Sequence, residues 1–324
     1  MQRRRFLLSG AAASLPLLGN GRAMAQGNPS KIIKLISQDA PGGGIDLRLR
    51  EFSVPLGIEL GVTPIIENKP GGAGQIMFAA LLNAPADGNT MMLANATMTI
   101  IPSLYRKSLY SPLRDFTPVA YSGLSPIGLA IPASRPEKTL KDWMAYIRTQ
   151  KGKVNYGSGG VGTVAHLYGD QISNELGLDA VNVPNKNIPQ LMPDLVTGQL
   201  HYMMLDIFSL RPYLQKGDLR LLAVTGDERV KYMPDVPTFG ELGHKGYDRM
   251  GWTAYYVRSG TPAAIVDKLA SAINRLNASP EWSAKREVLW STWKPMSVAD
   301  LRERVRVETE AWGVVVKRLG IQAD

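Results

Sequence analysis

The 324-residue chain has no cysteine, which excludes disulfides, thiolate metal sites and a cysteine nucleophile. Histidine is nearly as scarce. His166, His201 and His244 fit neither H-E-x-x-H nor another metal-binding spacing, and G-x-S-x-G and the EF-hand loop are missing as well. Clusters of Lys and Arg of the kind that grip nucleic acid are absent, and beyond Ala25 no run approaches the ~20 apolar residues that span a bilayer. No metal, cofactor or nucleic-acid partner is therefore expected. The lack of motifs does not by itself exclude an enzyme, because acid and base groups can assemble from distant residues.

What is present begins with a leader. "MQRRRFLLSGAAASLPLLGNGRAMA" has a basic start, an apolar middle and a small-residue site at Ala23-Met24-Ala25, and Arg3-Arg4-Arg5-Phe6-Leu7 fits the twin-arginine pattern. Residues 1–25 are expected to be a cleaved export signal, and the periplasm is the expected compartment. Arg3, Arg4, Arg5 and Arg22 leave with the leader and no acid does, which lowers the formal charge from +9 to +5. Such an excess suits an anionic small ligand without demanding one.

Hydrophobic residues make up 44% and charged residues 20% of the chain, as in a soluble globular protein, and the length favours two cores. From Lys31 strand-like and helix-like patterns alternate, the signature of an α/β protein with largely parallel sheets. "IIKLIS" reads as a strand, and Leu49, Phe52, Leu56 and Leu60 fall on one helical face, with Pro55 and Gly57 predicting a kinked or short helix. A proline-punctuated stretch around 111–136 reads as a crossing between lobes, and "WTAYYVRSG" as the return. The expected division is residues 26–127 plus 245–324 for one lobe and 128–244 for the other. Trp252, Tyr255 and Tyr256 are expected in a core, with a place lining a cleft as the alternative, and "LRERVRVETE" reads as a solvated helix face.

The stretch "VNYGSGGVGTVAHL" carries Gly157, Gly159 and Gly162 in the order G-x-G-x-x-G. A dinucleotide fingerprint also needs an acid about 20 residues on, after the second strand. Asp179 precedes the strand "AVNV", and no Lys stands where a phosphate-binding P-loop requires one. The shared physics remains: glycines let backbone N–H groups converge at a helix start, where the dipole favours an anion. Pro41-Gly42-Gly43-Gly44 and Pro70-Gly71-Gly72-Ala73-Gly74 precede two other helical runs in the same way. His166, just inside the helix after the loop, reads as a positioned hydrogen-bonding residue.

"KIIKLIS" with "APGGGID", "IIENKPGGAGQIMFAALLNAPADGNTMML", "YSPLRDFTPVA", "VNYGSGGVGTVAHL", "LRLLAVTGDERVKYMPDVPTFGELG" and "GTPAAIVDKLASAINR" together resemble the substrate-binding proteins of tripartite tricarboxylate transporters, the Bordetella uptake gene or Bug family. The resemblance covers nearly all of the chain after the leader. It implies a two-lobed Venus-flytrap of the type II periplasmic binding proteins, each lobe a mainly parallel sheet flanked by helices. It implies a monomer that captures a small carboxylated solute and passes it to membrane transporter subunits, without catalysis or cofactor. Sensing for a membrane receptor, and an enzyme on the same cleft, stay open as alternatives.

The resemblance also implies that backbone amides of the two glycine loops hold the ligand. The expected ligand-binding set is Gln38, Asp39, Pro41, Gly42, Gly43, Gly44 and Asp46 around the first loop, and Ser158, Gly159, Gly160, Gly162, Thr163, Val164 and His166 around the second. Asn185 stands where the family has an aromatic residue, Thr97 lies two residues past the strand-like run "TMMLAN", and Asp206 ends the run "GQLHYMMLD". Gln38, Asp39 and Ile45 depart from the family pattern. An ionised Asp39 at the cleft would repel a second carboxylate and favour a ligand bearing a donor or a cation.

Overall fold

The computed structural model describes residues 31–288, 290 and 292–322, so the leader lies outside the described residues. The strands are β1 (Ile32–Ser37), β2 (Thr63–Asn68), β3 (Thr90–Asn95), β4 (Phe116–Ser125), β5 (Ile127–Pro132), β6 (Asn155–Ser158), β7 (Val181–Pro184), β8 (Tyr202–Asp206), β9 (Leu219–Val224) and β10 (Gly251–Arg258). The helices are α1 (Gly44–Leu60), α2 (Gln75–Leu82), α3 (Thr97–Leu104), α4 (Pro112–Asp115), α5 (Leu140–Arg148), α6 (Val164–Leu176), α7 (Met192–Thr197), α8 (Ile207–Lys216), α9 (Ala263–Ala278), α10 (Pro280–Val288) and α11 (Val298–Leu319).

Two five-stranded sheets have the orders β2-β1-β3-β10-β4 and β7-β6-β8-β5-β9. Both are mixed. β10 runs against β3 and β4, and β5 runs against β8 and β9, while the remaining pairings are parallel. The reversed strand in each sheet is the one that arrives from the other sheet. β4 passes into β5 through Pro126 alone, and the chain returns through residues 225–250. At the crossing the Thr225 hydroxyl accepts from the Ile127 N–H at 3.0 Å, the Thr225 N–H donates to the Ile127 carbonyl at 2.8 Å, and Pro126 accepts from Ile207. Residues 245–249 of the return remain tied to α6, through Gln171 on Lys245 and Gly246 and through the Tyr168 hydroxyl on Arg249.

Layers of apolar side chains fix the helices on the sheets. Leu49, Phe52 and Leu56 of α1 and Leu269 and Ile273 of α9 cover one face of the first sheet. Leu195 and Leu210 of α7 and α8 cover the outer face of the second. Between the sheets a continuous cluster joins Phe78, Ile101, Trp143, Tyr156, Leu167, Tyr168 and Trp312.

In place of the short helix that was one of the two expectations, α1 runs for 17 residues with Pro55 inside it. Gly57 is there for space: a Cβ at this position would stand 2.6 Å from Cδ of Pro64 on β2. The helix gives up propensity at Gly57 and gains close contact with the edge strand.

Gly169 poses the same conflict nearer the cleft. Its added Cβ would lie 2.2 Å from the ring of Tyr156, which is itself stacked on Tyr202 at 5.2 Å. Helix propensity alone favours Gly169→Ala by about 1 kcal/mol. Overpacking typically costs about 1–3 kcal/mol, and a ring pinned by a stack yields poorly. Chemical denaturation should therefore show Gly169→Ala to be destabilised, by roughly 1–2 kcal/mol.

Candidate functional site

A strand that enters a sheet in reverse begins where its neighbours end. Ile127 of β5 pairs with Asp206 at the end of β8, and Thr253 of β10 pairs with Asn95 at the end of β3. Both sheets therefore gather strand ends and helix starts on one rim, the position where open α/β sheets bind ligands. A cavity of about 120 Å³ lies there, drawing its lining from both sheets.

The second glycine loop is built as a helix start. Thr163 caps α6 by accepting from the His166 N–H at 3.3 Å, and its hydroxyl donates to the Gly160 carbonyl at 2.8 Å. His166 secures the loop from behind: its Nδ1 accepts from the Gly162 N–H, which leaves Nε2 to face Asp170 at 3.4 Å. Burial lowers the imidazole pKa and Asp170 opposes that shift. Asp170 in turn accepts from the Tyr156 hydroxyl. Gly162, at φ +89°, passes so close to Leu104 that a Cβ would stand 2.5 Å from it. The first-turn amides of Val164 and Ala165 have no partner four residues back, and both residues line the cavity.

The first loop is arranged the opposite way. The Asp39 carboxylate accepts the Ile45 N–H of α1 at 2.8 Å, so this helix start already holds an anion supplied by the chain. The Gly43 N–H is spent on the Ala40 carbonyl and the Gly42 N–H on Asp46 at 2.9 Å. Asp46 is fully buried and also receives Arg50 and Asn68. Its burial raises the carboxyl pKa, but Arg50, Gly42 and Asn68 outweigh that and hold it below the ordinary range.

Across the cleft α8 is capped by Asp206, which accepts the Ser209 N–H at 3.0 Å and the Ser209 hydroxyl at 2.8 Å. Gly44 abuts this second cap so closely that a Cβ would meet Ser209 Oγ at 2.5 Å. Two acids thus face each other over the cavity. Desolvation, with added repulsion from Asp206 and Asp46, pushes Asp39 up to about 6 despite the bond from Ile45. Arg48, stacked 4.7 Å over Phe208, shares the field of Asp206.

Of the residues expected from sequence, Gln38, Asp39, Gly44, Thr97, Gly159, Thr163, Val164 and Asp206 line the cavity. Pro41, Gly42, Gly43, Asp46, Ser158, Gly160, Gly162, His166 and Asn185 do not. Ser158 is fully buried with Oγ turned to the Gly160 N–H, and the Asn185 side chain accepts from the Asn187 N–H. Sequence reasoning placed no ligand contact at Arg48, Asn95, Ser125, Lys186, Ser209, Trp252 or Thr253, which also line it. The signal available for several of them was position at a strand end or in a first helical turn.

Gly71, Ala73 and Gly74 of the loop from Gly71 to Gly74 line the cavity as well. All four residues of this loop, Ala73 among them at φ +51°, have left-handed backbone, and Gly74 packs on Gln38. Trp252 is buried as a core residue and still lines the cavity. Its Nε1 donates to Glu308 at 2.6 Å, so one acid of the expected solvated face of α11 is buried behind the site.

Residues 49–321 match the tripartite tricarboxylate transporter family receptor. The chain belongs to this family. A UPF0065 protein of Bordetella pertussis is 30% identical over 98% of both chains. The fold is shared with the periplasmic binding protein BugD, at a TM-score of 0.85 and 26% identity over 90% of this chain and 98% of that one. Rpa4515 of R. palustris with adipate gives 0.85 and 27% over 91% and 99%. MatC from Rhodopseudomonas palustris with bound malate gives 0.82 and 27% over 88% and 98%. As a receptor of this family the chain is a solute-binding protein with the two-sheet periplasmic-binding fold.

The raised Asp39 pKa makes a stability claim with a definite sign. The folded value of about 6 exceeds the unfolded 3.8, so this group favours the fold most below pH 4 and that advantage is lost as pH rises through 6. Asp39→Asn keeps an acceptor for Ile45 and removes the charge. Denaturant titrations of the ligand-free protein should find the variant more stable by about 1–3 kcal/mol at pH 8, with the difference vanishing near pH 4.

Proposed function

We propose that the chain is exported through residues 1–25 and captures a small carboxylated solute in the cleft between two lobes, 26–127 plus 245–324 and 128–244. The solute is then presented to membrane subunits of a tripartite tricarboxylate-type transporter, without chemical turnover. The observation that carries this reading is the start of α6: a helix N-terminus capped by a neutral threonine, with its free amides at the cavity and Lys186 on the lining. A carboxylate placed there accepts the amides of Val164 and Ala165 and gains from the helix dipole. Adipate and malate, named in the two related structures, are both small carboxylates.

Closure follows from the two crossings. The short link at Pro126 and the return strand β10 allow the sheets to rotate about the strand starts, and a solute touching both rims stabilises the closed arrangement. The contact of Gly44 with Ser209 is where the rims meet in that arrangement.

Thermal unfolding of residues 26–324 against mono-, di- and tricarboxylates and amino acids tests the reading. At least one carboxylate should raise Tm in proportion to ln of its concentration, as ligand binding to the folded state requires. Thr163→Glu should cost about 1 kcal/mol of stability through the lost cap and weaken that carboxylate more than tenfold. An unchanged affinity in the variant would remove α6 from the site.

A further inference from the structure

The helix starts on the cavity are not equivalent. α1 is occupied by Asp39 and α8 by Asp206, whereas α6 has only Thr163 and the start of α3 meets only the Asn95 side chain. A carboxylate suits a start held by a neutral group, and a solute that places one on α6 reaches the two acids with its remainder. The remaining polar groups on the lining point the same way. Gln38 Oε1 is buried without a hydrogen-bond partner, and so is the hydroxyl of Thr253, a residue only 4% exposed near the start of the reversed strand. A buried acceptor left empty costs free energy that a ligand donor recovers.

Resting on the capture reading above, we propose that the solute is a monocarboxylate carrying an ammonium group. Its carboxylate sits on the start of α6, and its ammonium lies among Asp39, Asp206, Gln38 and Thr253. An ammonium offers only donors, and the Asp39 and Asp206 carboxylates, Gln38 Oε1 and the Thr253 hydroxyl all accept, whereas the two ionised acids have no donor for a second carboxylate. The charges acting on Asp39 are those of Asp206 and Asp46, both acids. Asp46 is neutralised by Arg50, and Arg48 shares the field of Asp206, so Asp39 is the charge that the ammonium answers.

Calorimetric titration at pH 8 and pH 5 separates the possibilities, using succinate, glutarate and adipate beside 3-aminopropanoate, 4-aminobutanoate and 5-aminopentanoate, with neutral α-amino acids added. The best ammonium monocarboxylate should bind at least tenfold tighter than the best dicarboxylate at pH 8. The gap should shrink at pH 5, where Asp39 takes up a proton; Arg48, Lys186 and Asp206 share the lining with it, and His166 stands behind α6. Asp39→Asn should close or invert the gap by tenfold or more. Thr253→Val, which keeps the side-chain shape, should weaken the ammonium ligand about fivefold and leave dicarboxylates unaffected, and it serves where Asp39→Asn fails to fold.

Dicarboxylates binding as tightly as their amino partners, and still losing affinity in Thr163→Glu, would overturn the proposal and leave carboxylate capture standing. No binding by either class would overturn both.

Discussion

A strand that crosses from one sheet into the other must start on the rim where its new neighbours stop, and β5 and β10 both obey that constraint. Its consequences run through the molecule. The ends of β1, β3, β6 and β8 and the starts of β5 and β10 converge, so loops far apart in sequence share one cavity. Helices that follow the parallel strands point their N-termini into it, which brings α1, α6 and α8 to the same small volume with their dipoles converging. Like ends of dipoles repel, and the convergence is tolerated because each start is capped: by Asp39, Thr163 and Asp206 in turn.

Much of this was legible locally. The alternation of patterns gave the strands and helices, and the turn from Ser158 to Val164 was readable as a helix start because glycine spacing and an N-cap threonine are chain-local signals. What the sequence hid depends on contacts between distant residues. Pro55 and Gly57 predicted a kinked or short helix because nothing near them shows that Pro64 needs the space of a missing Cβ. The first glycine loop looked like a second set of free amides. Its donors are consumed by Ala40, Asp46 and Asp39, and the two acids flanking the loop were the visible sign of that consumption.

Residues absent from the sequence-based site share a different cause. Ser209 and Thr253 lie in elements whose neighbours in the sheet are far away in sequence, so only the strand order brings them to the cavity. Glu308 illustrates the converse error. In "LRERVRVETE" it is one charge among several on a helix. In the fold it is nearly buried, its pKa raised by desolvation and opposed by the bonds from Trp252 and Arg304, and it holds the indole that backs the site. A periodic charge pattern does not say which member faces inward.

The opposition of Asp39 and Asp206 ties specificity to motion. Gly44 against Ser209 is a close approach of the two rims, and the acids that cap these helices are carried together with them. In the proposed closure the rims come together against repulsion between two carboxylates, an interaction several times stronger away from bulk water than in it. An ammonium between them reverses the sign. On the proposed mode of binding, the ligand that fits the acceptors is also the ligand that relieves this repulsion, and a dicarboxylate of equal size adds to it. Differential affinity for the closed arrangement is what a ligand needs to shift the population. On the proposed mode of binding it comes from the charge of Asp39, a residue of the same loop that shapes the start of α1.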